Sequence, residues 1–223
     1  MAAPRSNLIF DLDGTLIDSA PDLATALNAL LAELDCPPLA LEQVRRLVGD
    51  GAPTLVARAL QTAGARFEPE TYESLLERYR ALYLAHATEK TRVYPQVPET
   101  LQGLREAGYR TVVCTNKIQD STLLVLEAFD LARYFDGVAG GDVVPARKPD
   151  PAHLLAGLKL IGGAPEQAVM IGDGINDVTA AKAAGIPVLV LPSGYGELGA
   201  AELGGDRLLA KFAEIPAALE SLD

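Results

Sequence analysis

Hydrophobic residues follow two different patterns along this chain. Short apolar runs predict buried strands, and they lie at 8–10, 109–114, 137–139, 168–172 and 187–191. Between most of these runs, apolar residues recur at three- and four-residue steps, which predicts helices. Alternating strands and helices indicate parallel strands with helices on both faces of the sheet. The pattern therefore predicts an α/β fold with a doubly wound parallel sheet.

The segment between the first two predicted strands shows only the helical pattern. Its first helix is predicted from apolar residues at Leu23, Leu27, Leu30, Leu31 and Leu34. Proline and glycine breaks divide the rest into three further helices, and no strand is expected among them. We therefore predict a core formed by residues 1–16 and 93–223, and an all-helical cap formed by residues 17–92.

The composition is that of a globular protein. Its 223 residues are 49% hydrophobic, which is enough to bury a core without disulfides. The two cysteines, Cys36 and Cys114, match no metal or redox spacing, so we expect reduced thiols, with Cys114 buried in a strand. Residues 1–7 do not resemble a signal peptide and no apolar run is long enough to span a membrane, so we expect a cytoplasmic location.

The net charge of −11 argues against nucleic acids and anionic membranes as partners. Such a charge also repels phosphate at long range. Any phosphate site in this chain must therefore be locally positive, through a metal ion, a lysine or helix N-termini.

The first predicted strand ends in two carboxylates, Asp11 and Asp13, followed by Gly14 and Thr15. Open parallel sheets bind ligands at the carboxyl ends of their strands, and residues two apart in an extended segment share a face. Two like charges so close are unfavourable unless a cation or a shared proton relieves them, which indicates a metal site or an acid/base pair. The alternative is a simple turn, since Asp-Gly is also a strong hairpin signal.

Three later fragments carry further residue types that phosphoryl transfer needs. Thr115 and Asn116 supply a hydroxyl and an amide, and Lys148 supplies a cation. Asp173 and Asp177 supply two carboxylates four residues apart. Each has an ordinary alternative. Thr115 and Asn116 could cap a strand end, and Lys148 could lie in a polar loop. Asp173 could lie in a turn, and Asp177 could be an ordinary first-turn helix residue. Their joint occurrence at or just after apolar runs favours a catalytic site.

Taken in order over residues 8–177, these four fragments resemble the motifs of the haloacid dehalogenase superfamily of phosphohydrolases. The resemblance implies a Rossmann-like core and hydrolysis through an aspartyl-phosphate intermediate. Asp11 would be the nucleophile, and Asp13 the general acid and base. The phosphoryl group would be bound by Thr115, Asn116 and Lys148.

The resemblance also implies Mg²⁺ as the cofactor, since this ion prefers carboxylates, waters and a substrate phosphate. Its ligands would be Asp11, Asp173 and the backbone carbonyl of Asp13, with Asp177 binding the ion directly or supporting those ligands. The partner would be a small phosphorylated metabolite, and the protein would be a monomer or a homodimer.

Three stretches are similar to the phosphoglycolate phosphatase branch of that superfamily, namely 10–23, 45–52 and 55–60. The expected substrate is therefore 2-phosphoglycolate, which carries a carboxylate beside its phosphate. Arg46 is the candidate for binding that carboxylate, because a guanidinium matches a carboxylate fork, and the alternative is a solvated helix arginine. Departures from the branch's pattern at Gln96 and in 193–197 leave the exact substrate open.

Other functions share parts of this pattern. A sugar-phosphate mutase of the β-phosphoglucomutase type would use the same Asp11 intermediate, and another small-metabolite or nucleotide phosphatase would use the same site. A catalytically inactive phosphate-binding module is disfavoured, because Asp11, Asp13, Lys148 and Asp173 are all present.

Several remaining features are expected to have only packing, turn or solvent roles. These are the tyrosine stripe at Tyr72, Tyr79 and Tyr83, the two histidines His86 and His153, and the glycine-rich stretch 194–196. The segment 197–223 is expected to end in an amphipathic helix that packs on the core through Phe212, Ile215, Leu219 and Leu222.

Overall fold

A computed structural model describes residues 5–196 and 198–222 of the chain. Its strands are β1 (Asn7–Phe10), β2 (Ile17–Asp18), β3 (Arg92–Val93), β4 (Arg110–Thr115), β5 (Gly137–Gly140), β6 (Ala168–Gly172), β7 (Val188–Val190) and β8 (Arg207–Leu208). Its helices are α1 (Ala20–Glu33), α2 (Leu41–Leu47), α3 (Ala52–Thr62), α4 (Tyr72–His86), α5 (Val97–Glu106), α6 (Gln119–Ala128), α7 (Ala152–Leu160), α8 (Ile175–Ala183) and α9 (Ile215–Glu220).

Six strands form one parallel sheet in the order β5-β4-β1-β6-β7-β8. Leu8 and Phe10 of β1 pack on one face with residues of α5 and α9, and Ile9 packs on the other face with residues of α7 and α8. Because both faces are covered, the central strands contain continuous apolar runs rather than apolar residues at alternate positions. The predicted α/β class with a doubly wound parallel sheet is confirmed.

Helices α1–α4 form one continuous helical segment between β2 and β3. The chain enters and leaves this segment through the antiparallel pair β2 and β3, in which Ile17 lies opposite Val93. The expectation of no strand in this region was wrong at the two-residue strand β2, because so short a strand leaves no period in the sequence. The division into a core (1–16 and 93–223) and a cap (17–92) stays a prediction.

The end of the chain forms the expected amphipathic helix, but the helix is short and a strand precedes it. Strand β8 adds an edge to the sheet, and α9 begins only at Ile215, with Pro216 in its first turn. Both residues of β8 are exposed, so no apolar run marks this strand in the sequence. The predicted packing of Ile215 and Leu219 is confirmed, since both side chains are buried. Residues 197 and 223 lie outside the described residues.

Two expectations from the composition concern cysteines and membranes. Cys114 is buried in β4, Cys36 is half-buried, and neither forms a disulfide. Burial raises the pKa of the Cys114 thiol to about 12. Among the helices in the described part of the chain, none combines the length and the hydropathy needed to cross a bilayer.

Candidate active site

The sheet order brings separate parts of the sequence to one edge. Strand β1 lies between β4 and β6, so the carboxyl ends of these three strands are neighbours. Asp11 follows β1, Thr115 ends β4, and Asp173 follows β6. The loop after β5 brings Lys148 to the same edge, where open parallel sheets bind their ligands.

Lys148 lies at the centre of an acidic cluster. Its Nζ atom is 2.9 Å from Oδ1 of Asp11 and 2.6 Å from Oδ1 of Asp177. Asp11, Asp173 and Asp177 each offer an oxygen, and these oxygens lie within 4.8 Å of one another. Three carboxylates therefore share one buried ammonium, which leaves an excess of negative charge.

Burial makes this excess charge unfavourable. It raises the pKa of Asp11 to about 6, although the Lys148 ammonium acts in the opposite direction. Burial, and then the charges of Asp11 and Asp177, hold the pKa of Asp173 well above its usual range. Hard carboxylate oxygens in an electron-rich pocket are the donor set that Mg²⁺ prefers, so these residues fit that ion.

Neighbouring backbone and hydroxyl groups hold Asp173 in place. Thr15 Oγ1 donates to Oδ1 of Asp173 at 2.6 Å, and the backbone N–H of Tyr195 donates to Oδ2 at 3.1 Å. Gly14 passes so close that a Cβ atom there would lie 2.3 Å from Oδ2, and its φ is +93°. A side chain at this position would therefore displace the carboxylate.

Asp13 belongs to a second charged group. Ser19 Oγ donates to its Oδ1 at 2.6 Å, and Nζ of Lys117 lies 3.0 Å from its Oδ2. The same ammonium is 4.6 Å from the ring centroid of Tyr83 on α4. Lys117 is not among the residues predicted for the site, although a basic residue directly after a strand-end Thr-Asn pair could have indicated it.

Thr115 and Asn116 lie where β4 meets the site, and both are buried. The Asn116 side-chain amide donates to the backbone oxygens of Gly49 and Lys148, each at 2.9 Å. Its two N–H groups are thus occupied, and they connect the helical segment to the Lys148 loop. The Asn116 Oδ1 atom, by contrast, is buried without a hydrogen-bond partner among the described residues.

Two cavities meet at Asp11 and Asp13. The larger, of about 370 Å³, is lined also by Lys148, Asp173 and Arg46. Arg46 is exposed near the end of α2, so the structure brings it to the wall of this cavity rather than into the buried cluster.

The smaller cavity has a volume of about 60 Å³. Its wall includes Thr115 and Lys117 on one side and Tyr79, Arg80 and Tyr83 of α4 on the other. Tyr79 and Tyr83 are buried, as expected, but they also face this cavity.

Two residues assigned only to packing or turns support the cluster directly. His153 is fully buried, its Nδ1 accepts the backbone N–H of Lys148 at 3.2 Å, and its Nε2 donates to the oxygen of Ala139 at 2.9 Å. Burial lowers the pKa of His153 to about 4, so the ring is neutral. Tyr195, in the predicted turn 194–196, holds Asp173 as described above. His86, by contrast, is half-exposed beside Glu89.

Comparisons with known proteins identify the family to which the chain is similar. A model of haloacid dehalogenase-like hydrolases matches residues 6–185. The phosphoglycolate phosphatase of Caulobacter vibrioides is 41% identical over 217 residues, which cover 97% of this chain and 92% of the relative. That of Pseudomonas putida is 44% identical over 191 residues, covering 84% and 70%. The crystal structure of a predicted phosphoglycolate phosphatase from Haemophilus somnus matches with a TM-score of 0.91 and 32% identity, covering 96% of this chain and 97% of the other.

Proposed function

The chain belongs to the haloacid dehalogenase-like hydrolases, as its four motifs predict, and from this premise we propose that it hydrolyses 2-phosphoglycolate to glycolate and phosphate. The observation that carries the proposal is the buried Lys148, held between Asp11 and Asp177 where three strands end. The similarity to phosphoglycolate phosphatases over most of the chain supports this choice of substrate.

Asp11 is the nucleophile in this proposal. One of its carboxylate oxygens attacks phosphorus, and the bond from phosphorus to the glycolate oxygen breaks. Asp13 lies two residues further on and gives a proton to the departing oxygen. The products of this step are glycolate and a phosphorylated Asp11.

Water completes the reaction. Asp13 takes a proton from a water molecule, whose oxygen attacks the phosphorus of the phosphorylated Asp11. The bond between phosphorus and the Asp11 oxygen breaks, so inorganic phosphate leaves and the carboxylate is restored. Ser19 and Lys117 hold the Asp13 side chain for both proton transfers.

The remaining predicted residues bind the phosphoryl group and the ion. Lys148 places its ammonium beside the transferred group, and the Thr115 hydroxyl and the Asn116 backbone N–H face the phosphoryl oxygens. Mg²⁺ would be held by Asp11, Asp173, the Asp13 backbone carbonyl and Asp177. When bound, it supplies positive charge for the phosphate oxygens.

Phosphate release from 2-phosphoglycolate tests this function, measured with Mg²⁺ and after its removal by a chelator. We expect release that requires Mg²⁺ and is abolished in Asp11→Asn, because an amide cannot form the acyl phosphate. Circular dichroism of the variant checks that its fold is retained. More than trace turnover by Asp11→Asn would contradict the assignment of the nucleophile, and an isomer formed in place of phosphate would indicate a mutase.

A further inference from the structure

The smaller cavity is lined by buried donors that the proposed reaction does not use. Tyr79 is 2% exposed, and neither its hydroxyl nor Nε of Arg80 has a hydrogen-bond partner among the described residues. Buried polar groups without partners are rare, because they lose the hydrogen bonds that water would supply. Two of them at consecutive positions of α4, both on the wall of one cavity, indicate a ligand that supplies the missing acceptors.

The α4 side of this cavity carries a cation that can pair with an anion, whereas Asp11 and Asp13 line the opposite side. Arg78 pairs with Glu33 on the surface, whereas Arg80, on the same helix, has no carboxylate partner within the described part of the chain. Lys117 adds a second cation. Its Nζ lies 3.0 Å from Oδ2 of Asp13 and 4.6 Å from the ring centroid of Tyr83. The ammonium has three N–H donors, of which two are directed at the Asp13 carboxylate oxygens.

The hydroxyl of Tyr79 can also donate a hydrogen bond to an anion in this cavity. Burial raises the pKa of Tyr79 above its ordinary range, so the hydroxyl keeps its proton and can donate it to an acceptor. A hydroxyl and two cations that line one cavity are donor types that bind a carboxylate.

We propose that the smaller cavity binds the carboxylate of the substrate, with Tyr79, Arg80 and Lys117 as its donors, an inference that rests on the function proposed above. The cavity begins at Asp11 and ends at α4, so a ligand that fits it carries a phosphate at one end and an anionic acceptor at the other. Its volume of about 60 Å³ suits a two-carbon acid better than a sugar ring.

The larger cavity offers weaker support for a carboxylate. Its two arginines are Arg46, which is exposed, and Arg58, whose NH1 already lies 2.6 Å from Oδ2 of Asp50. Arg46 is therefore the alternative site for the carboxylate, and the experiment compares the two.

Binding of two non-hydrolysable probes tests the inference without turnover. 3-Phosphonopropionate carries both a phosphonate and a carboxylate, and propylphosphonate has a methyl group in place of that carboxylate. Their affinities for the full chain with Mg²⁺ are measured by titration calorimetry. The variants are Tyr79→Phe, Arg80→Gln and Arg46→Ala. The matched control is Tyr72→Phe, which removes a hydroxyl from the same helix that donates to the backbone oxygen of Pro53.

The readout is the ratio of the two affinities. We expect wild-type protein to prefer 3-phosphonopropionate, and Tyr79→Phe and Arg80→Gln each to lower the ratio by at least about tenfold, as expected for a hydrogen bond to a charged group. The ratio should change less than twofold in Tyr72→Phe. Equal affinities in the wild type would overturn the proposal. A ratio lowered by Arg46→Ala and not by Tyr79→Phe would also overturn it, and would place the carboxylate in the larger cavity.

Failure of the proposed function gives a different result. If wild-type protein prefers 3-phosphonopropionate through Tyr79 and Arg80 but releases no phosphate from 2-phosphoglycolate, the carboxylate site is supported and the reaction is not.

Discussion

Two regions of this molecule lie on opposite sides of the same cavity, and they differ in how their buried polar groups are paired. At the sheet edge, Lys148 forms ion pairs with Asp11 and Asp177, and the Asp173 carboxylate accepts from the Thr15 hydroxyl and the Tyr195 backbone N–H. On α4, the Tyr79 hydroxyl and Arg80 Nε have no hydrogen-bond partner among the described residues. The first arrangement is already ordered for reaction, whereas the second keeps hydrogen-bonding capacity for a ligand. We infer that the residues of the sheet edge carry the reaction, whereas residues of α4 select the substrate.

Lys148→Met should have the largest effect, because it removes the cation of the sheet-edge cluster. We expect kcat to fall at least about 10³-fold, since the transferred phosphoryl group then meets uncompensated carboxylates. Single-turnover phosphate release measures this loss. Lys159→Met, at an exposed lysine of α7, is the control and should retain normal turnover. A rate for Lys148→Met within tenfold of wild type would remove Lys148 from the mechanism.

Asp22→Asn tests what places α4 opposite the sheet edge. The Asp22 carboxylate is buried and accepts the backbone N–H groups of Lys90 and Thr91 and the Thr91 hydroxyl. It thus joins the start of α1 to the chain that follows α4. Asparagine keeps one accepting oxygen, but it loses the charge and places an amide nitrogen against these donors, so we expect the free energy of unfolding to fall by about 2 kcal/mol in urea titrations.

The control for this change is Asp35→Asn, at an exposed position with φ of 52°, which asparagine also tolerates. An equal and small effect of both substitutions would mean that Asp22 does not stabilise the junction.

His153 should make the stability of the sheet-edge region depend on pH. Burial lowers its pKa to about 4, below the value of 6.5 expected when unfolded. Between these values the unfolded chain binds a proton that the folded chain does not, so stability decreases as the pH falls. From pH 6 to pH 5, wild-type protein should lose about 1 kcal/mol more unfolding free energy than His153→Gln. Parallel pH profiles of the two proteins would contradict this.

The smallest effect is expected for the stability of Tyr79→Phe. Its hydroxyl has no partner to lose, so the free energy of unfolding should stay within about 0.5 kcal/mol of wild type or rise. Tyr72→Phe loses a partnered hydroxyl and should cost about 1 kcal/mol. Thermal unfolding of both variants checks this contrast. A large loss of stability in Tyr79→Phe would mean that the hydroxyl is structural.

Some elements and residues could be predicted from the sequence, and others could not. The central strands were predicted because both faces of the sheet are covered, and this gives continuous apolar runs. Strand β8 was not, because its Arg207 and Leu208 are exposed. His153 was assigned to packing or solvent, and only the fold reveals that it holds the backbone of Lys148.

The sequence by itself determined which side chains meet at the sheet edge. Asp11, Thr115 and Asp173 stand directly at the ends of apolar runs, so local order alone predicted that they would meet. Only the tertiary structure decided what faces them. A buried tyrosine on a helix has the same period whether it packs on a core or lines a cavity, and the placement of α4 depends on contacts between residues far apart in the chain. The pairing of Lys117 with Asp13, 104 positions away, has the same origin.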